Sequence, residues 1–220
     1  MNMWIMSLLF SFAVILFVSA IAKKYGPEYL IALFPASLII AGIVGTKIIQ
    51  VGPLTISGST MMFSITFLIT DILDEFYGKK VAMKAVWAGL ICYCLAVVTY
   101  WVSIQIPAAG FWTKDAAYST ILGGSARLIV ASIVAYVITQ FIDVWIFDYY
   151  KRKHNKRFLW VRNNISTMTS QLVNTIIFTL IAFLGVAPVM KMMIGAYLVK
   201  LVIAAADTPI MYIVRGYYRK

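Results

Sequence analysis

Apolar runs of about 20 residues recur along the whole chain, and this recurrence constrains the fold more than any other feature. With 62% hydrophobic and only 12% charged residues among 220, the chain is far more apolar than a soluble domain of that length. The sequence therefore predicts an all-α, polytopic membrane helix bundle with almost no soluble part. The candidate spans are 4–22, 29–50, 54–70, 81–104, 127–149, 163–184 and 191–214.

The third candidate span, 54–70, is the shortest and the richest in Ser, Thr and Gly. A helix that crosses a bilayer usually needs about 20 residues. We therefore expect this segment to be tilted, broken or partly re-entrant, and its length leaves open whether it crosses the membrane fully.

Lys and Arg are divided unevenly between the two sets of loops that connect the candidate spans. With the N-terminus outside, one set holds fourteen basic residues, and the other holds Lys47, Lys114, Arg127 and Lys191. Cytoplasmic loops carry the excess of basic residues in membrane proteins, so the sequence predicts a cytoplasmic C-terminus. Because topology explains the net charge of +11, the expected partner is the lipid bilayer and not a nucleic acid.

Several ionisable side chains fall inside the candidate spans, where one Asp, Lys or Arg costs about 2.5 to 3.5 kcal/mol at the centre. They are Lys47, Asp71, Arg127, Asp143, Lys200 and Asp207. Such residues usually face a bundle interior or a watery cavity, so each is a candidate functional residue. The alternative is that these groups only hold helices together. Three acids would then need three partners, and Lys47 and Arg127 lie toward the outer side.

Two candidate spans carry similar polar segments, TQFIDVWIF and SQLVNTIIF. On a helix, Gln140 shares a face with Asp143, and Gln171 shares a face with Asn174. The two spans cross the membrane in opposite directions, so these polar groups can face each other across an internal cavity, as in carriers built from inverted repeats. Chance similarity between two apolar helices is the alternative.

The segment TFLITDILDEFYGKK carries three of the eight acidic residues, Asp71, Asp74 and Glu75, at the edge of a candidate span. Asp71 and Asp74 have the spacing that can hold Mg²⁺ in membrane enzymes acting on diphosphates. Such enzymes need a second acidic cluster, which is missing, and the single histidine cannot support a triad. A pore is a further alternative, although no repeat resembles a selectivity filter. We therefore expect no enzyme, no metal site and no cofactor.

Four segments resemble, in order and spacing, the vitamin-uptake-transporter-like family of queuosine precursor transporters. They are TFLITDILDEFYGKK, RLIVASIVAYVITQFIDVWIF, SQLVNTIIFTLIAF and KLVIAAADTP, and the resemblance covers about residues 29 to 214. The family pattern matches this chain at Lys47, Thr70, Asp71, Glu75, Gly78, Arg127, Gln140 and Asp143.

This resemblance implies import of a 7-deazaguanine base, such as preQ0, preQ1 or queuine, across the cell inner membrane for tRNA modification, by a secondary carrier. The alternative is a substrate-binding membrane subunit of an energy-coupling vitamin importer, which needs a separate ATPase module. Members commonly have Asp where this chain has Asn174, and they often have six spans. Residues 1–28 are thus expected to form an added N-terminal helix and loop, and residues 29–220 the six-span bundle. Proton coupling and a homo-oligomer are left open.

A guanine-like base offers N–H donors that suit a carboxylate, acceptors that suit amide or ammonium groups, and a flat face that suits aromatic rings. Under the resemblance, the expected substrate-binding residues are Asp143, Asp207, Gln140, Gln171 and Asn174, with Trp145, Phe147 or Phe178 stacking on the base. The residues expected to act in gating or coupling are Asp71, Glu75, Lys47, Arg127 and Lys200. Glu75 is expected to pair with Lys79, Lys80 or a mobile helix end, and Asp74 is interpreted as a solvated loop charge.

Overall fold

The chain forms eight helices and one short hairpin in a computed structural model that describes residues 3–123, 126–154, 157–185 and 189–219, without the side chains of 3, 4, 55 and 126–128. The helices are α1 (Met3–Tyr25), α2 (Glu28–Val44), α3 (Ser59–Tyr77), α4 (Lys79–Gln105), α5 (Asp115–Gly123), α6 (Ala126–Lys153), α7 (Leu159–Phe183) and α8 (Val189–Arg219). Strands β1 (Ile48–Val51) and β2 (Leu54–Ser57) pair antiparallel between α2 and α3, with Ile48 opposite Ser57. The prediction of an all-α polytopic membrane bundle is confirmed.

Helices α1, α4, α6, α7 and α8 are long and apolar enough to cross a membrane. Large apolar side chains such as Phe10, Phe17, Ile91 and Val202 are exposed on the outside of the bundle, whereas many polar side chains are buried inside. Lipid tails solvate apolar surface as well as a protein core does, so this distribution is the one expected of a bundle in a bilayer. Helices α2 and α3, with 17 and 19 residues, complete the bundle.

The predicted spans 29–50 and 54–70 are wrong at the ends that face each other. Helix α2 ends at Val44, and α3 begins only at Ser59, because the hairpin occupies the residues between them. The β-branched residues of IIQVGPLTIS and the Gly-Pro pair at its centre favour a hairpin over a continuous helix. Helix α3 then continues to Tyr77, well beyond the predicted end at residue 70.

Gly78 joins α3 directly to α4. Its φ of +88° lies in a region that residues with a side chain rarely adopt, so glycine allows the sharp reversal. The acidic end of α3 and the basic start of α4 therefore lie on the same side of the bundle.

Three helices meet at this side through hydrogen bonds to backbone carbonyl groups. Tyr77 Oη donates to the carbonyl of Ala22 (2.8 Å), and Tyr218 Oη donates to the carbonyl of Ser19 (2.9 Å). These contacts bring together the C-terminal ends of α1, α3 and α8. The end of α6 and the starts of α4 and α7 lie on the same side. We call this side of the bundle the basic end.

The hairpin lies on the opposite side, which we call the hairpin end. Strand β2 packs against α8 in a small apolar cluster of Ile56, Met61, Val199 and Ile203. Gly58 permits the close return of the chain, because a Cβ atom at this position would lie 2.5 Å from the carbonyl oxygen of Val44. The hairpin thus covers the bundle interior from this side.

Candidate functional site

Three carboxyl groups from three helices lie in the bundle interior, and we call them the carboxyl layer. Asp71 on α3, Asp143 on α6 and Asp207 on α8 are each at most 1% exposed. Asp143 lies beside the turn of α3 that carries Asp71, because it accepts a hydrogen bond from Thr70, the preceding residue. Thr167 Oγ1 donates to Oδ2 of Asp71 (3.3 Å), and Thr70 Oγ1 donates to Oδ2 of Asp143 (3.5 Å).

The carboxyl layer has a surplus of hydrogen-bond acceptors. No basic side chain in the described part of the chain forms an ion pair with any of its three acids. Oδ1 of Asp71, Oδ1 of Asp143 and both carboxyl oxygens of Asp207 likewise receive no hydrogen bond from a described residue. An isolated carboxylate is costly to bury, so this layer needs protons or a ligand that offers donors.

Two buried glutamines form an amide layer, one helical turn from the carboxyl layer toward the hairpin end. Gln140 precedes Asp143 on α6 and donates through Nε2 to Thr66 Oγ1 (2.9 Å). Gln171 follows Thr167 on α7, and neither of its amide atoms has a partner among the described residues. Both glutamines are fully buried, so Gln171 offers one donor and one acceptor to the interior.

A buried lysine lies further toward the hairpin end. Lys200 Nζ donates to Asn174 Oδ1 (2.7 Å) and to Thr175 Oγ1 (3.1 Å). Asn174 Nδ2 in turn donates to Thr139 Oγ1 (3.4 Å), so the two similar polar segments on α6 and α7 do face each other. The partners of Lys200 are neutral, so no carboxylate among the described residues is paired with its amine.

Two buried ion pairs, which we call the ion-pair layer, separate the carboxyl layer from the basic end. Lys151 Nζ binds Oδ1 of Asp74 (2.8 Å) and also donates to the backbone carbonyl of Asp74. Arg162 Nη2 binds Oε2 of Glu75. The guanidinium of Arg162 is fully buried, 5.4 Å from the centroid of the Phe147 ring. The layer therefore joins α3 to α6 and α7.

The ion-pair layer corrects two interpretations from the sequence. Asp74 is fully buried and not a solvated loop charge, because α3 continues past residue 70 and carries it into contact with α6. The partner of Glu75 is Arg162 and not Lys79 or Lys80. Lys79 instead contacts Asp148 at 3.7 Å.

Several residues predicted for the site lie away from these layers. Lys47 is exposed beside the hairpin, outside any helix, because α2 ends before it. Trp145 is 59% exposed and stacks on Tyr149 outside the bundle, while Phe178 makes an edge contact with Phe183. The side chain of Arg127 lies outside the described residues.

The structure also brings in residues that the sequence reasoning missed. Thr66 and Thr167 bond to the predicted glutamine and aspartate, and Lys151 and Arg162 form the buried ion pairs. The sequence of α7 does indicate an inward-facing polar side, because its buried polar residues recur every three or four positions. They are Asn163, Ser166, Thr167, Ser170, Gln171, Asn174 and Thr175.

Taken together, the interior presents acceptors at the carboxyl layer, a free amide next to them and a cation beyond. A small, polar and flat molecule with donors on one edge and acceptors on another would satisfy all three. Low polarity around these groups makes each such hydrogen bond stronger than it is in water. The arrangement is suited to binding a small polar molecule.

Comparison with known proteins identifies the chain as a member of one family. The family described as "Putative vitamin uptake transporter" matches residues 57–214. The "Probable queuosine precursor transporter" of Bacillus subtilis (strain 168) is 32% identical over 208 residues, which cover 91% of this chain and 90% of that protein. The "Queuosine precursor transporter" of Escherichia coli (strain K12) is 29% identical over 121 residues, which cover 55% of this chain and 52% of that protein.

A third relative, the "Probable queuosine precursor transporter" of Haemophilus influenzae, is 27% identical over 124 residues, which cover 56% of this chain and 50% of that protein. No solved structure matches the chain. The family match spans more than half of the chain, and the Bacillus subtilis relative aligns with 91% of it. The chain therefore belongs to the vitamin-uptake-transporter-like family of queuosine precursor transporters.

Proposed function

We propose that this protein is a secondary carrier that imports a queuosine precursor, a 7-deazaguanine base such as preQ0, preQ1 or queuine, for tRNA modification. The names of its relatives support a transporter of queuosine precursors and do not suggest an enzyme. The single observation that carries the proposal is that, within the described part of the chain, Asp207 on α8 and Gln171 on α7 both present buried, unpartnered polar groups to the interior. Both are buried on neighbouring helices, and neither has a hydrogen-bond partner within the described residues.

The chemistry of the base suits these two side chains. The ring N–H and the exocyclic amine of a guanine-like edge are adjacent donors, and both oxygens of Asp207 are free to accept them. The adjacent carbonyl is an acceptor, and Nε2 of Gln171 is a free donor. Asp143, Gln140 and Asn174 lie in the same interior and would read the remaining groups of the base.

Closure of the interior at both sides supports a carrier over an open pore. The ion-pair layer closes the basic end, with Glu75 and Arg162 at its centre, and the hairpin covers the other end. A carrier exposes its central site to one side at a time, so each closure would open in turn. In this proposal Asp71 and Glu75 act in gating, as does Lys200 next to the amide layer.

In the proposed orientation, the protein lies in the cell inner membrane and its basic end faces the cytoplasm. Lys23, Lys79 and Lys151 lie at this end, and the positive-inside rule places such residues on the cytoplasmic side. The N-terminus would then be outside. The interior opens to the cytoplasm when the ion-pair layer separates.

An uptake assay tests this proposal. A host that needs an external precursor, lacks its own importer and lacks any vitamin-importer ATPase module would receive the wild type, Asp207→Asn or Asp115→Asn. We expect the wild type to restore queuosine in tRNA, Asp207→Asn to reduce it at least about tenfold through loss of a charged hydrogen bond, and the exposed control Asp115→Asn to match the wild type.

Two results would change this proposal. Restoration only after an ATPase module is supplied would favour the binding subunit of an energy-coupling importer. Full activity of a normally expressed Asp207→Asn variant would remove Asp207 from the binding site.

A further inference from the structure

The Asp71 and Asp143 carboxyl groups face each other inside the bundle without a cation to separate them. Thr70, the residue before Asp71 on α3, donates to Oδ2 of Asp143, so the two buried carboxyl groups lie close together between α3 and α6. Oδ1 of each receives no hydrogen bond from the described residues. Two ionised carboxylates at such a distance repel strongly, whereas one proton between them makes a hydrogen bond. We propose that the Asp71–Asp143 pair holds one shared proton and that this proton moves with the transported molecule.

The described side chains around the pair supply no positive charge that would neutralise two carboxylates. From α3 itself Asp74 faces the pair, and from α8 Asp207 does, so both neighbouring charges are acidic. Helix α7 contributes the neutral Thr167 and Ser170 at this level. Helices α1, α2 and α4 pack on α3 through apolar residues such as Ile15, Phe34 and Val86.

Each basic side chain near the pair is engaged elsewhere. Lys151 binds Asp74, Arg162 binds Glu75, and Lys200 binds the neutral Asn174 and Thr175. At the basic end, Lys79 and Arg152 bind Asp148. Among the described residues, therefore, no cation forms an ion pair with Asp71 or Asp143.

The unpartnered groups beside the pair point independently to a ligand. Asp207 is 1% exposed with both oxygens free, and Gln171 is fully buried with both amide atoms free of described partners. A substrate that donates to Asp207 would lie next to the shared proton. The substrate and the proton would then occupy adjacent parts of one interior, which is the arrangement that coupling requires.

A route for the proton leads from the pair to the basic end. Glu75 lies one helical turn beyond Asp71 on α3. Glu75 also lines a cavity of about 450 Å³ at the basic end, together with Lys23, Tyr77, Arg215 and Tyr218. When the ion-pair layer opens, the O–H bond of the pair breaks, the proton passes to water in this cavity, and two carboxylates remain until the pair binds a proton from the other side.

The coupling rests on the proposed function, because it needs a transported substrate. The shared proton is independent of the proposed function. Infrared spectroscopy of the purified full chain without substrate tests the proton by itself. We expect the double variant Asp71→Asn/Asp143→Asn to lose one protonated-carboxyl band and one carboxylate band relative to the wild type. The exposed control Asp115→Asn should lose one carboxylate band only. Loss of two carboxylate bands, or of two protonated bands, in the double variant would overturn the inference.

Proteoliposomes with a clamped membrane potential test the coupling. Labelled preQ0 is supplied with the outside more acidic by about one pH unit, a gradient that supports about tenfold accumulation for one proton per substrate. Asp71→Asn and Asp143→Asn should accumulate no label above the outside concentration, and Asp115→Asn should match the wild type. Each variant must also exchange labelled preQ0 at equal pH, because a variant that transports nothing would show no accumulation either. Accumulation by an exchanging variant would overturn the coupling.

The outcomes separate the two claims. Wild-type protein that exchanges labelled preQ0 at equal pH but shows no accumulation under the gradient would overturn the coupling and leave the proposed function intact. Failure of the wild type to exchange preQ0, preQ1 or queuine would overturn the proposed function and the coupling, while the infrared result would still decide whether the pair shares a proton.

Discussion

Lys200 is a buried basic residue in the interior of the bundle. Its ammonium group is 6% exposed and bonds to an amide and a hydroxyl, with no carboxylate paired to it in the described chain. A buried charge without a counter-ion lowers the free energy of unfolding, so folding alone gives no reason to keep it.

We predict that Lys200→Met leaves the protein at least as stable as the wild type and reduces import at least about tenfold, since a charged hydrogen bond contributes about 1.5–3 kcal/mol. Thermal unfolding and tRNA queuosine content measure the two effects. Lys24→Met, at an exposed lysine, is the control. A large loss of stability with normal import would assign Lys200 a purely structural role.

The Glu75–Arg162 pair gives a second prediction for individual residues. Glu75→Gln leaves the guanidinium of Arg162 buried without a carboxylate, which should lower the free energy of unfolding by about 3–5 kcal/mol. The double variant Glu75→Gln/Arg162→Met removes both charges and should recover most of this loss. Thermal unfolding of both single variants and the double variant measures the coupling. Additive effects of the two changes would show that the pair does not interact energetically.

Residues inside the candidate spans were easier to predict than residues near span ends. Asp71, Asp143 and Asp207 follow from the rule that an acid in an apolar run faces the bundle interior. Lys151 and Arg162 lie just outside the candidate spans 127–149 and 163–184, where basic residues normally set topology. Their burial depends on α3 extending to Tyr77, which is a tertiary fact and cannot be derived from local hydropathy.

The hairpin between α2 and α3 is the element that distinguishes this bundle from a set of simple spans. Two apolar runs of the sequence meet there, and hydropathy alone does not separate a β-hairpin from the end of one helix and the start of the next. The Gly-Pro pair at residues 52–53 is the local feature that indicates a turn at this point. Ile56 of the hairpin packs in one apolar cluster with Val199 and Ile203 of α8.

We predict that joining the hairpin to α8 stops transport. A disulfide between Ile56→Cys and Ile203→Cys, in a background with Cys92 and Cys94 replaced by Ala, should abolish import because the interior can no longer open at the hairpin end. Reductant should restore import in the same sample. The single Ile56→Cys variant is the control. Normal import by fully cross-linked protein would show that the hairpin does not move during transport.

At the scale of the whole molecule, the described residues place many polar groups in the interior and many large apolar side chains on the outside, and the interior polar groups form layers along one axis. From the basic end inward, the interior passes through ion pairs, carboxyl groups, amides and a lysine. The layers are built by α3, α6, α7 and α8, which pack side by side and each contribute one or two polar residues per turn. Sequence periodicity indicated the faces of these helices, but their pairing across the bundle required the fold.

The central claim is that this interior binds a 7-deazaguanine base, and ligand-dependent thermal unfolding of the purified protein tests it most directly. The wild type is heated with preQ0, preQ1, queuine, guanine or riboflavin. We predict that at least one 7-deazaguanine, at about 100 times its dissociation constant, raises the free energy of unfolding by about 2.7 kcal/mol, and that riboflavin has no effect. At the same concentration the base should stabilise Asp207→Asn by about 1.4 kcal/mol or less, as expected for binding weakened at least about tenfold. Stabilisation by riboflavin with none by any 7-deazaguanine, or equal stabilisation of Asp207→Asn, would contradict the claim.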